Sequence, residues 1–119
     1  MEVDYAVQIG SGVDLHGQDM TKAACRAVED AISNTCLSGV LTLSDTGELE
    51  EMIVDILIAV PKPDEVDSAK VLEVIPFGKK KIEVKKGGML TGGCKLECLN
   101  DTDKSIAVAN ASVTVSINT

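Results

Sequence analysis

The residues of this sequence that could do chemistry are concentrated in one segment, Gly10-Ser11-Gly12-Val13-Asp14-Leu15-His16-Gly17. It contains the only histidine of the chain, His16, two residues after Asp14. The two side chains could form an acid–base pair in which the carboxylate orients the imidazole. Together with Asp19 they could instead hold a divalent metal ion through oxygen and nitrogen ligands. A purely structural role is the alternative, with the glycines shaping a turn and the polar side chains bonding its backbone.

We expect this segment to be a glycine-rich loop between a strand and a helix, with a ligand bound by Gly10, Ser11, Gly12, Gly17 and Asp19. The N–H groups of Gly10 and Gly12 could donate to an oxyanion or a carboxylate. Lys22, one turn into the helix, could stabilise negative charge or pair with Ser11 if it folds back over the loop. The alternative for Lys22 is a solvated side chain on the polar face of the helix.

Several classes of function are disfavoured by composition and spacing. The loop lacks the third glycine of a dinucleotide-binding fingerprint and the Lys-Ser/Thr ending of a P-loop, and its carboxylates would repel phosphate. A net charge of −8 and two aromatic residues in 119 argue against nucleic-acid binding. No apolar run approaches the ~20 residues of a membrane helix. The chain opens on a strand-like pattern and not a signal peptide, so we expect a cytoplasmic protein.

Hydrophobic periodicity predicts the elements that would position the segment. In the first strand, residues 3–9, Val3, Val7 and Ile9 alternate with Asp4 and Gln8, a pattern typical of half-buried strands. Asp19 is a suitable N-cap for a helix reaching about Cys36, whose small alanines would let it lie close on a sheet.

The remaining elements follow from apolar runs and turn residues. We expect a short strand or extended connector at 40–43, a central strand at 52–60, and a helix capped by Asp64 or Asp67 and ending near 75. A strand at 80–86 and a flexible stretch between Gly88 and Gly92 should follow. The last part is expected to hold a possible strand at 94–99, a turn at 100–103 and a long alternating strand at 105–118. The order is β-α-β-α-β-β.

This order predicts one α/β domain over residues 1–119. Its fold would be a two-layer sandwich in which one mixed sheet carries both helices on one face. The nearly continuous apolar run of the central strand suggests burial on both of its sides. We therefore expect a neighbouring subunit to cover the other face, so that the protein is a homo-oligomer.

The four cysteines are interpreted as reduced, structural residues. Cys25 and Cys36 are expected on one helix, ~16 Å apart. Cys94 and Cys98 would lie ~13 Å apart in an extended segment. Neither spacing favours a disulfide or a zinc site.

The segment also carries a family resemblance, because it matches the pattern G-x-G-x-D-x-H-G. On this pattern the sequence resembles the listerial-type "Lin" family of conserved hypothetical proteins. The following residues 18–24, Ile75-Pro76-Phe77-Gly78 and the β-rich C-terminus resemble the family as well. The resemblance spans nearly the whole chain, and the family has no established function.

The order of elements is similar, more distantly, to one domain of the ring-opening amidohydrolases, cyanuric acid hydrolase and barbiturase. These enzymes join three similar domains around Ser–Lys pairs. That resemblance implies that a single-domain relative would assemble as a homo-oligomer, in its simplest form a trimer.

Two functions are therefore expected as alternatives. One is a hydrolase acting on a small polar or cyclic amide, with Asp14, His16 and Lys22 as its catalytic residues. The other is a non-catalytic oligomeric protein that binds a ligand or regulates a partner.

Overall fold

The computed structural model describes residues 1–16, 19–93 and 105–119. The prediction of a mixed α/β two-layer sandwich is confirmed. The elements are β1 (Glu2–Asp14), α1 (Met20–Ser33), α2 (Val40–Leu43), β2 (Ile53–Val60), α3 (Ser68–Leu72), β3 (Lys79–Lys86), β4 (Met89–Gly92) and β5 (Ser105–Asn118). Two 3₁₀ turns, Leu49–Glu51 and Pro63–Glu65, precede β2 and α3.

The five strands of the described residues form one sheet, in the order β1-β5-β2-β3, while β4 pairs with β5 beyond the end of β2. Strand β5 is antiparallel to β1, β2 and β4, whereas β2 and β3 are parallel, so the sheet is mixed. Since β5 runs against both of its long neighbours, β1, β2 and β3 all run in the same direction. Among the described residues, β1 and β3 are therefore the outer strands along most of the sheet, and β4 is an outer strand at the end where it pairs with β5 alone.

Strand β5 has the alternation that its sequence predicts. Its odd-numbered residues from Ala107 to Ile117 are buried under the helices, and Asn110, Ser112 and Thr114 lie on the other face. The core is almost entirely aliphatic, as the scarcity of aromatic residues requires. Its largest fully buried side chains include Met20, Val28, Ile58, Val71 and Val113.

Helix α1 begins where its cap residue predicts, because the Asp19 carboxylate accepts the N–H of Lys22 at 3.1 Å. It ends at Ser33 with Asn34 as C-cap, earlier than expected. The run Ser33-Asn34-Thr35 has low helix propensity and breaks the apolar stripe, which explains the early end. Cys36 lies outside the helix, so the expectation that Cys25 and Cys36 share one helix is wrong.

Three other local expectations are corrected. Residues 40–43 form a helical turn and not a strand or extended connector. Asp67, one of the two expected caps, is confirmed as the N-cap of the second helix, while Asp64 belongs to the preceding 3₁₀ turn. That helix ends at Leu72 and not near 75, which corrects its expected length. Residues 89–92, expected to be flexible, form β4, which pairs with the part of β5 that extends beyond β2. The expected strand at 94–99 and turn at 100–103, with Cys94 and Cys98, lie outside the described residues.

In β1 the side that carries the apolar residues is the exposed one, which is the reverse of the usual arrangement in a half-buried strand. From Gln8 to Asp14 its even-numbered residues face α1 and are buried, whereas Glu2 and Asp4, before the register irregularity at Asp4–Ala6, are exposed. Its apolar side points away from the helices and leaves Val7 61% and Ile9 76% exposed. Strand β2 alternates in the same way, with Asp55 and Leu57 exposed, so the expected burial of β2 on both sides does not occur within one chain.

Because β1 and β5 pair along their whole lengths, the molecule is elongated, with extents of 52 × 23 × 19 Å. Its radius of gyration, 16.0 Å, exceeds the roughly 13.5 Å typical of a compact domain of this length. None of the helices in the described residues has the length and apolar character needed to cross a bilayer.

Candidate functional site

The expected glycine-rich loop is mostly strand. Strand β1 continues through Gly10, Gly12 and Asp14, and only the residues from Leu15 to Asp19 connect it to α1. The first part of the motif, G-x-G-x-D, has a spacing of two, so its three defining residues share one face of β1. That face is the one covered by α1. Gly17 lies outside the described residues.

The two glycines permit a very close approach of α1 to β1. A Cβ on Gly12 would lie 2.2 Å from the carbonyl oxygen of Ala23 and 2.3 Å from the nitrogen of Ala27. A Cβ on Gly10 would lie 2.3 Å from the nitrogen of Ala31. Neither glycine has a positive φ, so close packing and not a turn conformation requires glycine here.

The backbone of the motif is engaged by its neighbours. The N–H of Ser11 points away from β5 and donates to Oδ2 of Asp30 in α1 at 2.9 Å. In an antiparallel pair, N–H groups alternate between the two sides of a strand, so those of Gly10 and Gly12 point toward β5, where the register pairs them with Ala111 and Ala109. These N–H groups serve the sheet, which weakens the expectation that they bind an oxyanion.

The Asp14 carboxylate braces the connection between β1 and α1. It is 5% exposed, and its Oδ2 accepts the N–H of Asp19 at 2.7 Å. Its Oδ1 lies 3.4 Å from Nη1 of Arg26, which also donates to the carbonyl of Val13 at 2.7 Å. The two ends of the connection are thereby tied to each other and to the second turn of α1.

Of the other expected site residues, the structure separates Ser11 from Lys22 and brings Asp14 close to the backbone, but not the side chain, of Asp19. Ser11 lies on the face of the sheet opposite to α1, whereas Lys22 is exposed on α1, in agreement with the alternative of a solvated Lys22 and not with a Ser11–Lys22 pair. His16 is half-buried and makes an interaction of its own within the chain. Asp14 and Asp19 are brought together, but through the backbone of Asp19.

A metal site at Asp14 and His16 stays a prediction. The described ranges hold no group of three or more His, Cys, Asp or Glu side chains positioned around a common point. The Asp14 oxygens face an N–H donor and the guanidinium of Arg26, both of which disfavour a cation at the same place.

The cysteines that can be described differ in exposure. Cys36 is exposed, while Cys25 is partly covered and lies 3.9 Å from the carbonyl of Lys70. Burial raises the pKa of the Cys25 thiol above its ordinary value, and the nearby carboxylate of Glu29 raises that pKa further.

We expect iodoacetamide at about pH 8 to alkylate Cys36 roughly tenfold faster than Cys25, because a raised pKa and partial burial lower the supply of reactive thiolate. Raising the pH should speed the reaction of Cys25. Peptide mass spectrometry after timed quenching would measure both rates. Equal rates at the two positions would contradict the prediction.

Sequence reasoning missed one polar residue of note. Gln8 looks like a solvent-facing residue of β1, but it is 6% exposed beneath the C-terminal end of α1. There it lines a cleft of about 420 Å³ that also contacts Ile32, Val54 and Phe77. The signal that could have found it is the G-x-G-x-D spacing itself, because Gln8 shares the face of β1 on which the glycines meet the helix.

Comparisons with known proteins agree with this fold and with the family resemblance. A crystal structure of an FtsZ-like protein of unknown function from Nostoc punctiforme PCC 73102 is 39% identical to this chain, with a TM-score of 0.91. The match covers 99% of this chain and 98% of that one. No curated protein matches the sequence. The model of the family described as conserved hypothetical protein (Lin0512_fam) matches residues 4–115, and the chain belongs to that family.

Proposed function

We propose that this protein acts as a non-catalytic homo-oligomer in which a second copy covers the open face of the sheet. The open face is the side of the sheet away from the helices, formed at its centre by Val7, Ile9 and Leu57. The observation that carries the proposal is the exposure of these side chains, 61%, 76% and 38%. Large apolar side chains that are exposed together on one face, as Val7 and Ile9 are on β1, mark interaction sites in soluble proteins.

The strand register places the exposed apolar side chains of β1 and β2 on the two sides of β5, with Ser112 between them. Ile9 and Leu57 both lie opposite Ser112 of β5, on either side of it. Toward the other end of β5, Val13 and Met89 flank Val108 in the same manner. The open face thus has apolar residues on β1, β2, β4 and β5, and the 52 Å length of the molecule presents them on an extended surface.

The charges of the open face favour another copy of this chain as the occupant. Beside the apolar part, β2 and β3 expose Asp55, Lys81, Glu83 and Lys85, with Asp55 directly opposite Lys81. Alternating signs can pair with the same pattern in a second copy related by a twofold axis. A partner of one strong charge would meet repulsion from half of these groups.

The contacts of the G-x-G-x-D segment favour this alternative over a hydrolase. The Asp14 carboxylate is buried between an N–H donor and Arg26, and Ser11 lies on the opposite side of the sheet from Lys22. A hydrolase would instead need these groups to converge on one point where a substrate could bind.

We expect Ile9→Asp to dissociate the oligomer while leaving the subunit folded. The side chain is 76% exposed in the single chain, so an aspartate is solvated there, but it would be unpaired and desolvated inside an interface. The loss of affinity should be about a hundredfold or more. Sedimentation equilibrium, with circular dichroism as the folding check, would measure it.

Leu43→Asp is the matched control, since Leu43 is 57% exposed in α2 and lies outside the open face. It should leave the association unchanged. A wild-type protein that sediments as a monomer at all concentrations would overturn the proposal. So would equal dissociation of the two variants.

A further inference from the structure

The outer edge of β3 has backbone groups free to pair with a further strand. The N–H of Lys79 donates to the carbonyl of Met52, just before β2, at 2.7 Å. Successive N–H groups point to opposite sides of a strand, so the odd-numbered residues of β3 bond to β2 and the even-numbered ones point away from it. Within the part of the chain that the structure describes, no hydrogen bond engages the outward N–H and C=O groups of Ile82 and Val84. An added strand uses groups of this kind.

The same edge is strongly basic. Strand β3 carries five lysines and one glutamate among its eight residues, whereas the whole chain has a net charge of −8. Lys80 donates to two carbonyls in and after α3, and Lys79 and Lys85 each lie near one glutamate. Lys81 and Lys86 are exposed and take part in no ion pair of the described residues. An acidic segment would therefore be attracted to this edge.

The side chains of β3 indicate which pattern of residues fits beside it. On the helix side, Ile82 and Val84 are half-buried and pack against the core. On the other side, Lys81, Glu83 and Lys85 are exposed. Neighbouring strands present their side chains to the same two faces, so apolar residues would fit beside Ile82 and Val84, and acidic residues beside Lys81 and Lys85.

We propose that the outer edge of β3 binds an extended acidic segment of another protein, which adds to the sheet as a strand of alternating apolar and acidic residues. Backbone hydrogen bonds supply the affinity, and the lysines select the charge of the segment. Strand β3 lies at the border of the open face, whose apolar centre is on β1 and β2. The added strand would extend the sheet there without displacing that centre.

A second copy of the chain is a poor occupant of this edge. Pairing β3 with β3 would bring the five lysines of each strand together, and such charges are a common way to prevent edges from pairing. The edge of β1 is engaged by α1 at the N–H of Ser11 and the carbonyl of Val13. The partner is therefore a different molecule.

The heptapeptide Val-Glu-Val-Thr-Val-Glu-Val, acetylated and amidated at its ends, is a suitable probe. It reads the same in both directions and so suits either orientation, and its threonine avoids a third acidic residue opposite Glu83. The matched control peptide replaces both glutamates by lysine. We expect one glutamate peptide per chain and about tenfold weaker binding of the lysine peptide, because two exposed charge pairs change from attraction to repulsion. Isothermal titration calorimetry would measure both, and added salt should weaken binding of the glutamate peptide.

Amide exchange distinguishes an added strand from a contact between charges alone. The N–H groups of Ile82 and Val84 have no acceptor among the described residues, whereas those of Lys81 and Glu83 point toward β2. An added strand accepts hydrogen bonds from Ile82 and Val84, so their exchange should slow about tenfold when about nine in ten chains carry the peptide. Exchange at Lys81 and Glu83 should change little. NMR spectroscopy of the wild-type protein with and without the glutamate peptide would measure these rates.

Lys86→Glu tests the charge of the edge without altering the open face, because Lys86 lies on the helix side of β3. It should weaken binding of the glutamate peptide about threefold or more. Lys70→Glu is the matched control, since Lys70 is an exposed residue of α3 beside Cys25 of α1. It should leave that binding unchanged.

Each outcome bears on the proposal. Equal affinities of the two peptides would overturn it, and so would equal effects of Lys86→Glu and Lys70→Glu. Binding that leaves the exchange of Ile82 and Val84 unchanged would show a contact between charges and no added strand. Slow exchange of both amides in the free protein, dependent on its concentration, would identify a second copy as the occupant and overturn the acidic segment. None of these experiments alters Val7, Ile9 or Leu57, so failure here would leave the proposed association of two copies intact.

Discussion

Gly12→Ala is expected to lower the free energy of unfolding by about 3 kcal/mol, or to prevent folding altogether. The new Cβ would lie 2.2 Å from the carbonyl oxygen of Ala23 and 2.3 Å from the nitrogen of Ala27. Both are backbone atoms of α1, so no side-chain rotation can relieve the contact. The helix would have to move away from β1, and the buried contacts around Ala24 and Val28 would loosen with it. Urea denaturation followed by circular dichroism would measure the change.

Gly92→Ala is the matched control for this experiment. Gly92 also lies in a strand, but a Cβ there would meet no atom within 4 Å. Its effect on the free energy of unfolding should stay within about 0.5 kcal/mol. If Gly12→Ala were as mild as Gly92→Ala, close packing would not be the reason for glycine in the motif.

The second large effect is expected at Asp14. Asp14→Ala should lower the free energy of unfolding by about 2–3 kcal/mol, because it leaves the N–H of Asp19 without its acceptor and removes the partner of Arg26. Asp14→Asn should cost less, about 1 kcal/mol, because an amide oxygen can still accept from Asp19. Chemical denaturation of both variants beside the wild type would test this order.

Asp64→Ala serves as the control, since Asp64 is an exposed carboxylate in a 3₁₀ turn. It should change stability by no more than about 0.5 kcal/mol. The result at Asp14 also distinguishes a structural residue from a catalytic one. Catalytic groups are often held at a cost in stability, so their removal tends to be neutral or stabilising. An Asp14→Ala variant as stable as the wild type would therefore return Asp14 to the list of catalytic candidates.

Much of the fold could be predicted from local patterns. The alternation of residues 105–118 gave β5 almost to the residue, and Asp19 marked the start of α1. The apolar run before Pro61 gave β2. These elements could be recognised because local sequence and tertiary packing demand the same structure at those positions.

The motif itself was placed wrongly, for a physical reason. Glycine has low strand propensity, so two glycines within the five residues of G-x-G-x-D suggest a loop. Their strand conformation depends on a helix that packs on them from elsewhere in the chain. The alanines at 23, 27 and 31 were visible as a small-residue stripe of that helix, and their partners are Gly10 and Gly12.

The side of β1 that faces the core could not be inferred from alternation either. Periodicity shows that the two sides of a strand differ, but it does not say which side faces the core. Here the close packing of α1 selects the glycine side, and Val7 and Ile9 are turned outward as a result. The same choice buries Gln8, which is why the cleft that it lines could not be recognised from its residue type.

The contacts of Asp30 and Arg26 along β1 have a consequence for the size of any assembly. They occupy the N–H of Ser11 and the carbonyl of Val13, which would otherwise be available to a strand of another molecule. The opposite border strand, β3, carries five lysines among its eight residues, and like charges would oppose its lateral extension. Growth by adding strand to strand is thus opposed along β1 and β3. If subunits associate by their open faces, as proposed, closed particles are expected instead of fibrils.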